Sequence, residues 1–147
     1  MLTPGSAIHA VLRVGVGLLF FEHGLQKLFG FFGGIDKAGA TVHLNSLMGV
    51  AGVLELVGGA LLVLGLLTRA LAFVLTLEML TAFAMAHLPR GGWPVQNGGE
   101  LPLLYAVIFA FLTVTGAGPL SLDSALHRRR RPDLRGGGPR HRDWRAA

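Results

Sequence analysis

The sequence predicts an all-α integral membrane protein, a bundle of four transmembrane helices with both termini in the cytoplasm. The composition indicates a membrane protein, because 52% of the 147 residues are hydrophobic and only 14% are charged, whereas soluble domains carry about a quarter charged residues. The apolar residues also fall into four long segments, each of a length that suits a membrane helix. Because lipid supplies no hydrogen-bond partners for the backbone, segments of this length are predicted to be helices.

The four helices belong to one predicted domain, residues 1–127. About one residue at Thr68 joins the second helix to the third, which forces these two helices antiparallel. Glycines recur on the first two helices, and small residues let membrane helices approach closely, although a glycine-rich composition could also place them there by chance. The predicted helices are residues 8–29, 47–67, 69–88 and 101–118.

A basic tail, residues 128–147, follows the last helix. It contains eight of the thirteen Lys and Arg residues and two acidic residues, a net charge of +6. The tail has too few apolar residues to fold and is predicted to be disordered. A basic cluster directly after a membrane helix marks the cytoplasmic side and binds anionic lipid headgroups. Headgroup contact is therefore predicted for Arg128, Arg129, Arg130 and Arg131, and nucleic acid is disfavoured because no aromatic pattern or motif accompanies the arginines.

The orientation follows from this tail. With the C-terminus inside and four crossings, the N-terminus is also inside, and the connections at residues 30–46 and 87–100 face outward. These connections carry only Lys37 and Arg90 as basic residues, which fits the excess of Lys and Arg on the cytoplasmic side.

Charged side chains within the apolar segments are the candidate functional residues. At 1.5 Å per residue they fall in the outer half of the bundle, where they are predicted to form a buried polar cluster. Lys27 is expected to pair chiefly with Glu55, because a charge removed from water needs a partner. Glu22 faces the opposite side of the first helix. The predicted cluster consists of His23, Lys27, Glu55, Glu78 and Glu100.

Arg13 is the charged residue that is predicted to lie in the inner half of the bundle. Arg13 and Lys27 each have a second interpretation, in which the long side chain extends to the nearest headgroup region. Glu55 and Glu78 are too short for that, so a charge-paired or functional role is favoured for both.

The sequence predicts no metal site and no intrinsic cofactor. It contains no Cys, which excludes disulfides, thiolate metal sites and thiol redox chemistry. No Glu-x-x-His pair suggests a di-iron bundle, so His23 is interpreted as a hydrogen-bonding residue. His43 and His87 are predicted to be surface histidines. Interfacial positions are predicted for Trp93, Tyr105 and Phe29 to Phe32.

Five blocks of residues resemble the DoxX family. The blocks are Arg13, HGLQKLFG from His23, ELVGGALLVLGLLTR from Glu55, NGGE ending at Glu100 and GAGPLSLD ending at Asp123. The resemblance implies a four-helix, multi-pass protein of the bacterial cell (inner) membrane, from a family named for a subunit of a terminal oxidase or thiosulfate:quinone oxidoreductase system. It also implies that Arg13, Lys27, Glu55 and Glu100 are motif positions, whereas Glu78 and the basic tail match no part of the family pattern.

Three functions remain open at this point. The resemblance favours an accessory, quinone-interacting subunit that serves a membrane redox partner protein and is not catalytic alone. A small proton-coupled transporter or channel is the second, with Glu55 and Glu78 as its pathway. The third is a structural or chaperone-like membrane scaffold, in which the buried charges only fix the register of the helices.

Overall fold

A computed structural model describes residues 3–129 as a helical protein. Within that range no β-strand is present. The α-helices are α1 (Pro4–Phe29), α2 (Leu47–Leu64), α3 (Thr68–Ala82), α4 (Pro94–Asn97), α5 (Glu100–Thr115) and α6 (Leu122–Arg129). A π-helical turn, Phe83–His87, and a 3-10 turn, Leu88–Arg90, continue α3, and a second 3-10 turn, Phe31–Gly33, follows α1.

Three of these segments are long and apolar enough to cross a membrane: α1, α2 and the continuous stretch Thr68–Arg90. The fourth apolar helix, α5, has 16 residues. At a rise of 1.5 Å per residue α5 is about 24 Å long, shorter than a hydrocarbon core of about 30 Å. The all-helical prediction is confirmed, and the described residues contain three candidate crossing segments and one shorter apolar helix.

Capping residues explain where the observed helices differ from the predicted ones. α1 begins at Pro4 rather than residue 8, because the Thr3 side chain accepts a hydrogen bond from the Ser6 amide and caps the helix. α2 ends before residue 67 because Gly65 takes a left-handed conformation, with φ of 67°. α5 ends before residue 118 at Gly116, whose φ is 75°.

The helices run alternately up and down, which gives the molecule two distinct ends. The long-loop end holds the connections 30–46 and 91–99, and the hinge end holds the start of α1, the tight connection 65–67 and residues 116–121. Contacts at the hinge end fix this arrangement: His9 Nε2 lies 3.1 Å from Thr115 Oγ1, and the Asp123 carboxylate accepts hydrogen bonds from the amides of Leu67 and Thr68 at 2.9 and 3.1 Å. Asp123 thereby caps the N-terminus of α3 from 55 residues away in sequence.

Helices α1 and α2 touch through their backbones. A Cβ atom built at Gly24 would overlap the backbone of Leu56, and one built at Gly59 would lie 2.5 Å from the Phe21 amide nitrogen. Glycine is therefore required at these positions for the helices to approach this closely. This close contact agrees with the packing role predicted for the glycines.

One apolar core joins α1, α2, α3 and α5. Its central side chains are almost completely buried, and Phe20 packs edge-on against Phe109 with ring centroids 4.8 Å apart. The core consists of Val16, Phe20, Leu62, Ala72, Leu75, Met79, Tyr105, Ala106, Phe109 and Leu112. Tyr105 is thus a core residue, and its prediction as an interfacial aromatic is wrong, because its position on α5 faces the other helices.

The long loop after α1 folds back over the end of that helix. Val42 donates a backbone hydrogen bond to the Lys27 carbonyl at 2.9 Å, and the Gln26 side chain donates to the Gly34 carbonyl at 2.9 Å. Within the loop, the amides of Ala40 and Ala38 donate to the exposed Asp36 carboxylate and hold its pKa below the usual range. The loop is therefore anchored next to the helical turn that carries Lys27.

Helix α6 alters the predicted start of the tail. Arg128 and Arg129 are the last residues of this helix, whereas the sequence predicts disorder from residue 128. The helix persists because Asp123 lies in its first turn and arginines close it, which suits the helix dipole. Residues 130–147, with Arg130 and Arg131, lie outside the described residues.

Candidate functional site

The centre of the candidate site is an ion pair between α1 and α2. The Lys27 Nζ atom lies 2.5 Å from Glu55 Oε1, and the two side chains are 18% and 4% exposed. Each charged residue has a glycine one turn before it, Gly24 on α1 and Gly52 on α2, and both glycines lie in the contact between the helices. Because the backbones are so close, the two side chains reach each other. This is the pairing that the sequence predicts.

Glu78 on α3 adds a second carboxyl group to the same region. Both Glu78 oxygens and Glu55 Oε2 are buried, and none of the three makes a hydrogen bond within the described residues. Lys27 pairs with Glu55, so Glu78 is a second buried carboxyl group that has no ion pair among the described residues. A buried polar atom without a partner is costly, so these three oxygens need either a proton or a hydrogen-bond donor from a bound molecule.

Two cavities meet at the ion pair. The first, which we call the lateral groove, lies between α2 and α3 and has a volume of about 360 Å³. Most of its lining is aliphatic, and several of those side chains are exposed on the side of the molecule, so the groove opens where lipid would lie. Its polar lining residues are Lys27, Glu55, Glu78 and Thr81. The Thr81 hydroxyl donates to the Leu77 carbonyl at 2.8 Å, which leaves the three charged residues as the reactive groups.

The second cavity, which we call the polar cavity, lies among α1, α3 and α5 towards the long-loop end, with a volume of about 170 Å³. Lys27, Glu55 and Met79 line both cavities and form the wall between them. His23, His87 and Tyr105 line only the polar cavity, and the His23 and Tyr105 rings meet edge to face at 6.2 Å. The ion pair is therefore approached from two chemically different sides.

His87 is a residue that sequence reasoning missed. The sequence predicts a surface position for it, but it is half-buried and lines the polar cavity. The π-helical turn Phe83–His87 shifts the register at the end of α3, a feature often found at functional sites. The Phe83 ring stacks on the His87 ring at 6.4 Å, and His87 Nδ1 lies 3.0 Å from the Asn97 carbonyl oxygen. No signal in the sequence indicates such a turn.

Glu100 does not join the buried cluster. It begins α5, one residue before the predicted range 101–118, but its side chain is exposed, so the prediction of its burial is wrong. An acidic residue in the first turn of a helix suits the positive end of the helix dipole, which accounts for Glu100 without a partner in the cluster. Glu22 is also exposed, on the outer face of α1.

Arg13 is buried at the hinge end and is only 2% exposed. Its guanidinium group donates hydrogen bonds to the carbonyl oxygens of Ala117 at 3.1 Å, Val63 at 2.8 Å, Leu120 at 2.7 Å, and Leu62. A snorkelling side chain would instead extend to the headgroups. The arginine therefore joins the end of α2 to the segment after α5, and it neutralises the negative end of the α2 dipole.

The described residues hold no group of three or more His, Asp and Glu side chains that could bind a metal ion. His23 lines the polar cavity together with the Glu55 carboxylate, and its ring contacts the Tyr105 ring edge to face. The reactive groups of the site are the Lys27 ammonium group, the Glu55 and Glu78 carboxyl groups, and the His23 and His87 imidazoles.

Comparison with known proteins assigns the chain to a family. The sequence model of the DoxX family matches residues 8–88. The chain belongs to the DoxX family. Within the matched DoxX region lie Arg13, Lys27, Glu55 and Glu78, and Tyr105 and Asp123 lie beyond it.

Several relatives share most of their length with this DoxX protein. An uncharacterised protein of Haemophilus influenzae is 41% identical over 118 residues, 78% of this chain and 87% of the relative. A Bacillus subtilis protein named "Putative oxidoreductase CatD" is 34% identical over 114 residues, 77% and 82% of the two chains. An uncharacterised membrane protein of Mycobacterium tuberculosis is 32% identical over 143 residues, 86% and 84% of the two chains. No solved structure matches the chain.

Proposed function

We propose that this DoxX protein is a membrane-embedded accessory subunit of an oxidoreductase, and that its lateral groove binds a quinone. The observation that carries the proposal is the position of the ion pair and the Glu78 carboxyl at the inner end of an apolar groove that opens on the side of the molecule. A quinone has a matching shape and polarity, since an apolar isoprenoid tail carries a head with two carbonyl oxygens. The name of the Bacillus subtilis relative supports an oxidoreductase role.

The residues of the groove fit such a head group. The Lys27 ammonium can donate a hydrogen bond to one head-group oxygen, and a protonated Glu78 can donate to the other. The donation from Glu78 would give a partner to a buried carboxyl oxygen that makes no hydrogen bond among residues 3–128, and Lys27, which already donates to Glu55 Oε1, would use one of its remaining hydrogens. A bound quinone supplies two-electron, two-proton chemistry, and the electrons would come from a partner protein in the membrane. This chain would bind the head, exclude water from it and hold protons at Glu55 and Glu78.

Photolabelling tests the binding. An azidoquinone with an isoprenoid tail is expected to label the peptides of α2 and α3 that line the groove, and excess unlabelled quinone should abolish the labelling. Ala51→Trp fills the groove and should remove the labelling, whereas Val107→Trp, at an exposed position on α5, should leave it unchanged. Uniform labelling that unlabelled quinone does not reduce would overturn the proposal. In that case pH-dependent flux in liposomes would favour the transporter, and no flux would favour the scaffold.

We also propose that α1, α2, the Thr68–Arg90 segment and α5 all cross a bacterial inner membrane, with both termini in the cytoplasm. The distribution of basic residues in the sequence supports this orientation, because Arg69 lies at the hinge end and the eight basic residues of the tail, residues 128–147, follow it, whereas the connections of the long-loop end carry Lys37 and Arg90. The exposed aromatic side chains of Phe29, Phe31, Phe32 and Trp93 at the long-loop end suit an interfacial belt. Headgroup contact by Arg128 to Arg131 is part of the same proposal.

Reporter fusions test this topology. A reporter fused after Asp123 is expected to be active in the cytoplasm, and one inserted near Gly33 in the long loop is expected to be active on the outer side, because four crossings place the two ends on opposite faces. A fusion at Leu67, in the tight connection, should match the first. Reporters after Asp123 and near Gly33 on the same side would contradict four crossings.

A further inference from the structure

We infer that the two cavities are separate routes to one ion pair: the polar cavity admits water and protons from the long-loop end, and the lateral groove admits an apolar ligand from the bilayer. The geometry that points to this is the shared wall. Lys27, Glu55 and Met79 contribute to both cavities, whereas His23, His87 and Tyr105 face only the polar cavity and Glu78 faces only the groove. The groove half of the inference rests on the proposed function, and the water half does not.

The lining of the polar cavity suits water. His23 and His87 each carry two ring nitrogens, Tyr105 carries a hydroxyl, and Glu55 Oε2 is buried without a hydrogen bond in the described part of the chain. A volume of about 170 Å³ has room for several water molecules, and such waters need polar partners of this kind. A chain of waters can thus reach Glu55 without crossing the groove.

His87 is placed to exchange protons at the mouth of this cavity. The residues that follow it, Leu88 to Arg90, are exposed at the long-loop end. A carbonyl oxygen only accepts hydrogen bonds, so the 3.0 Å contact with Asn97 O places a proton on His87 Nδ1 and leaves Nε2 as the nitrogen that can take up another. Asn97 is itself fixed, since its side chain donates to the Gly91 carbonyl at 2.6 Å and accepts from the Gly99 amide at 2.8 Å.

The proton step involves no change in oxidation state. His87 Nε2 takes a proton from a hydronium ion at the mouth and gives it to a water molecule inside the cavity, and the hydronium ion formed there gives it to the Glu55 carboxylate, so that each water molecule is neutral again at the end. The reverse sequence releases it. The titratable groups around this route are Glu22, His23 and Lys27 on α1, Glu55 on α2, Glu78 on α3, His87 after α3, and Glu100 and Tyr105 on α5.

The cysteine-free sequence allows a direct test with single Cys substitutions. His23 lies about 9 Å from the end of α1 and Leu54 about 10 Å from the start of α2, so the two positions have similar depth. His23 lines only the polar cavity, whereas Leu54 lines only the groove. In liposomes, a small cationic methanethiosulfonate should modify His23→Cys about tenfold or more faster than Leu54→Cys, because a thiol in apolar surroundings ionises less. A lipophilic pyrenyl maleimide should reverse that order.

Two further variants keep the test decisive. Ala38→Cys, in the exposed long loop, reports the side from which the reagent acts, and His23→Cys should react from the same side. If His23→Cys does not fold, His87→Cys takes its place in the test. His87 lines the same cavity, so the cationic reagent should modify His87→Cys at the fast rate expected for His23→Cys. Slow modification of both cavity positions, or modification only from the hinge side, would overturn the water route. Fast modification at His23→Cys together with failed quinone photolabelling would keep the water route and reject the proposed ligand.

Discussion

Lys27→Met is expected to destabilise the protein more than the double variant Lys27→Met, Glu55→Gln does. Removing the ammonium leaves Glu55 and Glu78 as two buried carboxyl groups without a cation nearby, and breaking a buried pair from one side costs about 3 to 5 kcal/mol. Removing both charges avoids that penalty, and the coupling between the two substitutions should reach about 1 to 3 kcal/mol. Unfolding midpoints in detergent for wild type, both single variants and the double variant give this energy.

Matched controls separate the ion pair from a general effect of charge. Glu100→Gln makes the same chemical change as Glu55→Gln at an exposed position and should cost less than about 1 kcal/mol. Lys37→Met in the exposed loop is the corresponding control for Lys27→Met. If Lys27 instead served mainly to reach the headgroups, the losses from the two single substitutions would add, and additive losses would reject the pairing.

The ion pair could be predicted from the sequence because two physical constraints act on it together. Lipid makes an isolated charge costly, and the helix rise places Lys27 and Glu55 at similar depth. Depth alone did not predict which way a side chain points. Glu100 lies at the predicted end of its helix but is exposed, and Tyr105 lies in the core rather than at the interface. Both differences concern the rotation of α5, which has apolar residues on all sides.

The hinge end was harder to predict because its polar contacts are made to the backbone. Arg13 binds carbonyl oxygens 49 to 107 residues away, and the Asp123 carboxylate binds two amides 55 and 56 residues away. Every residue has a carbonyl group, so no residue type marks the positions that Arg13 contacts. The five blocks that resemble the DoxX family contain both Arg13 and Asp123, and the structure supplies a physical reason for their presence.

Arg13→Met is expected to lower the free energy of unfolding by about 4 kcal/mol or more, because several buried carbonyl groups lose a charged donor at once and each loss costs about 1 to 3 kcal/mol. Arg13→Lys should recover only part of this loss. A guanidinium group reaches the ends of two segments with a planar fork of donors, whereas an ammonium group is a compact point charge. Arg69→Met, at an exposed position of the same end, should change stability by about 0.5 kcal/mol or less.

The loss of Arg13 should also be visible at a distance. Arg13 holds the carbonyl of Leu120, and that segment leads into Asp123, which caps α3 through the amides of Leu67 and Thr68. Releasing the segment should therefore speed hydrogen exchange at those two amides in Arg13→Met, while the amides in the middle of α3 keep their protection. Full recovery of stability and of exchange protection in Arg13→Lys would show that a positive charge alone is sufficient there, and it would exclude the role of the guanidinium as a bridge between α2 and the segment after α5.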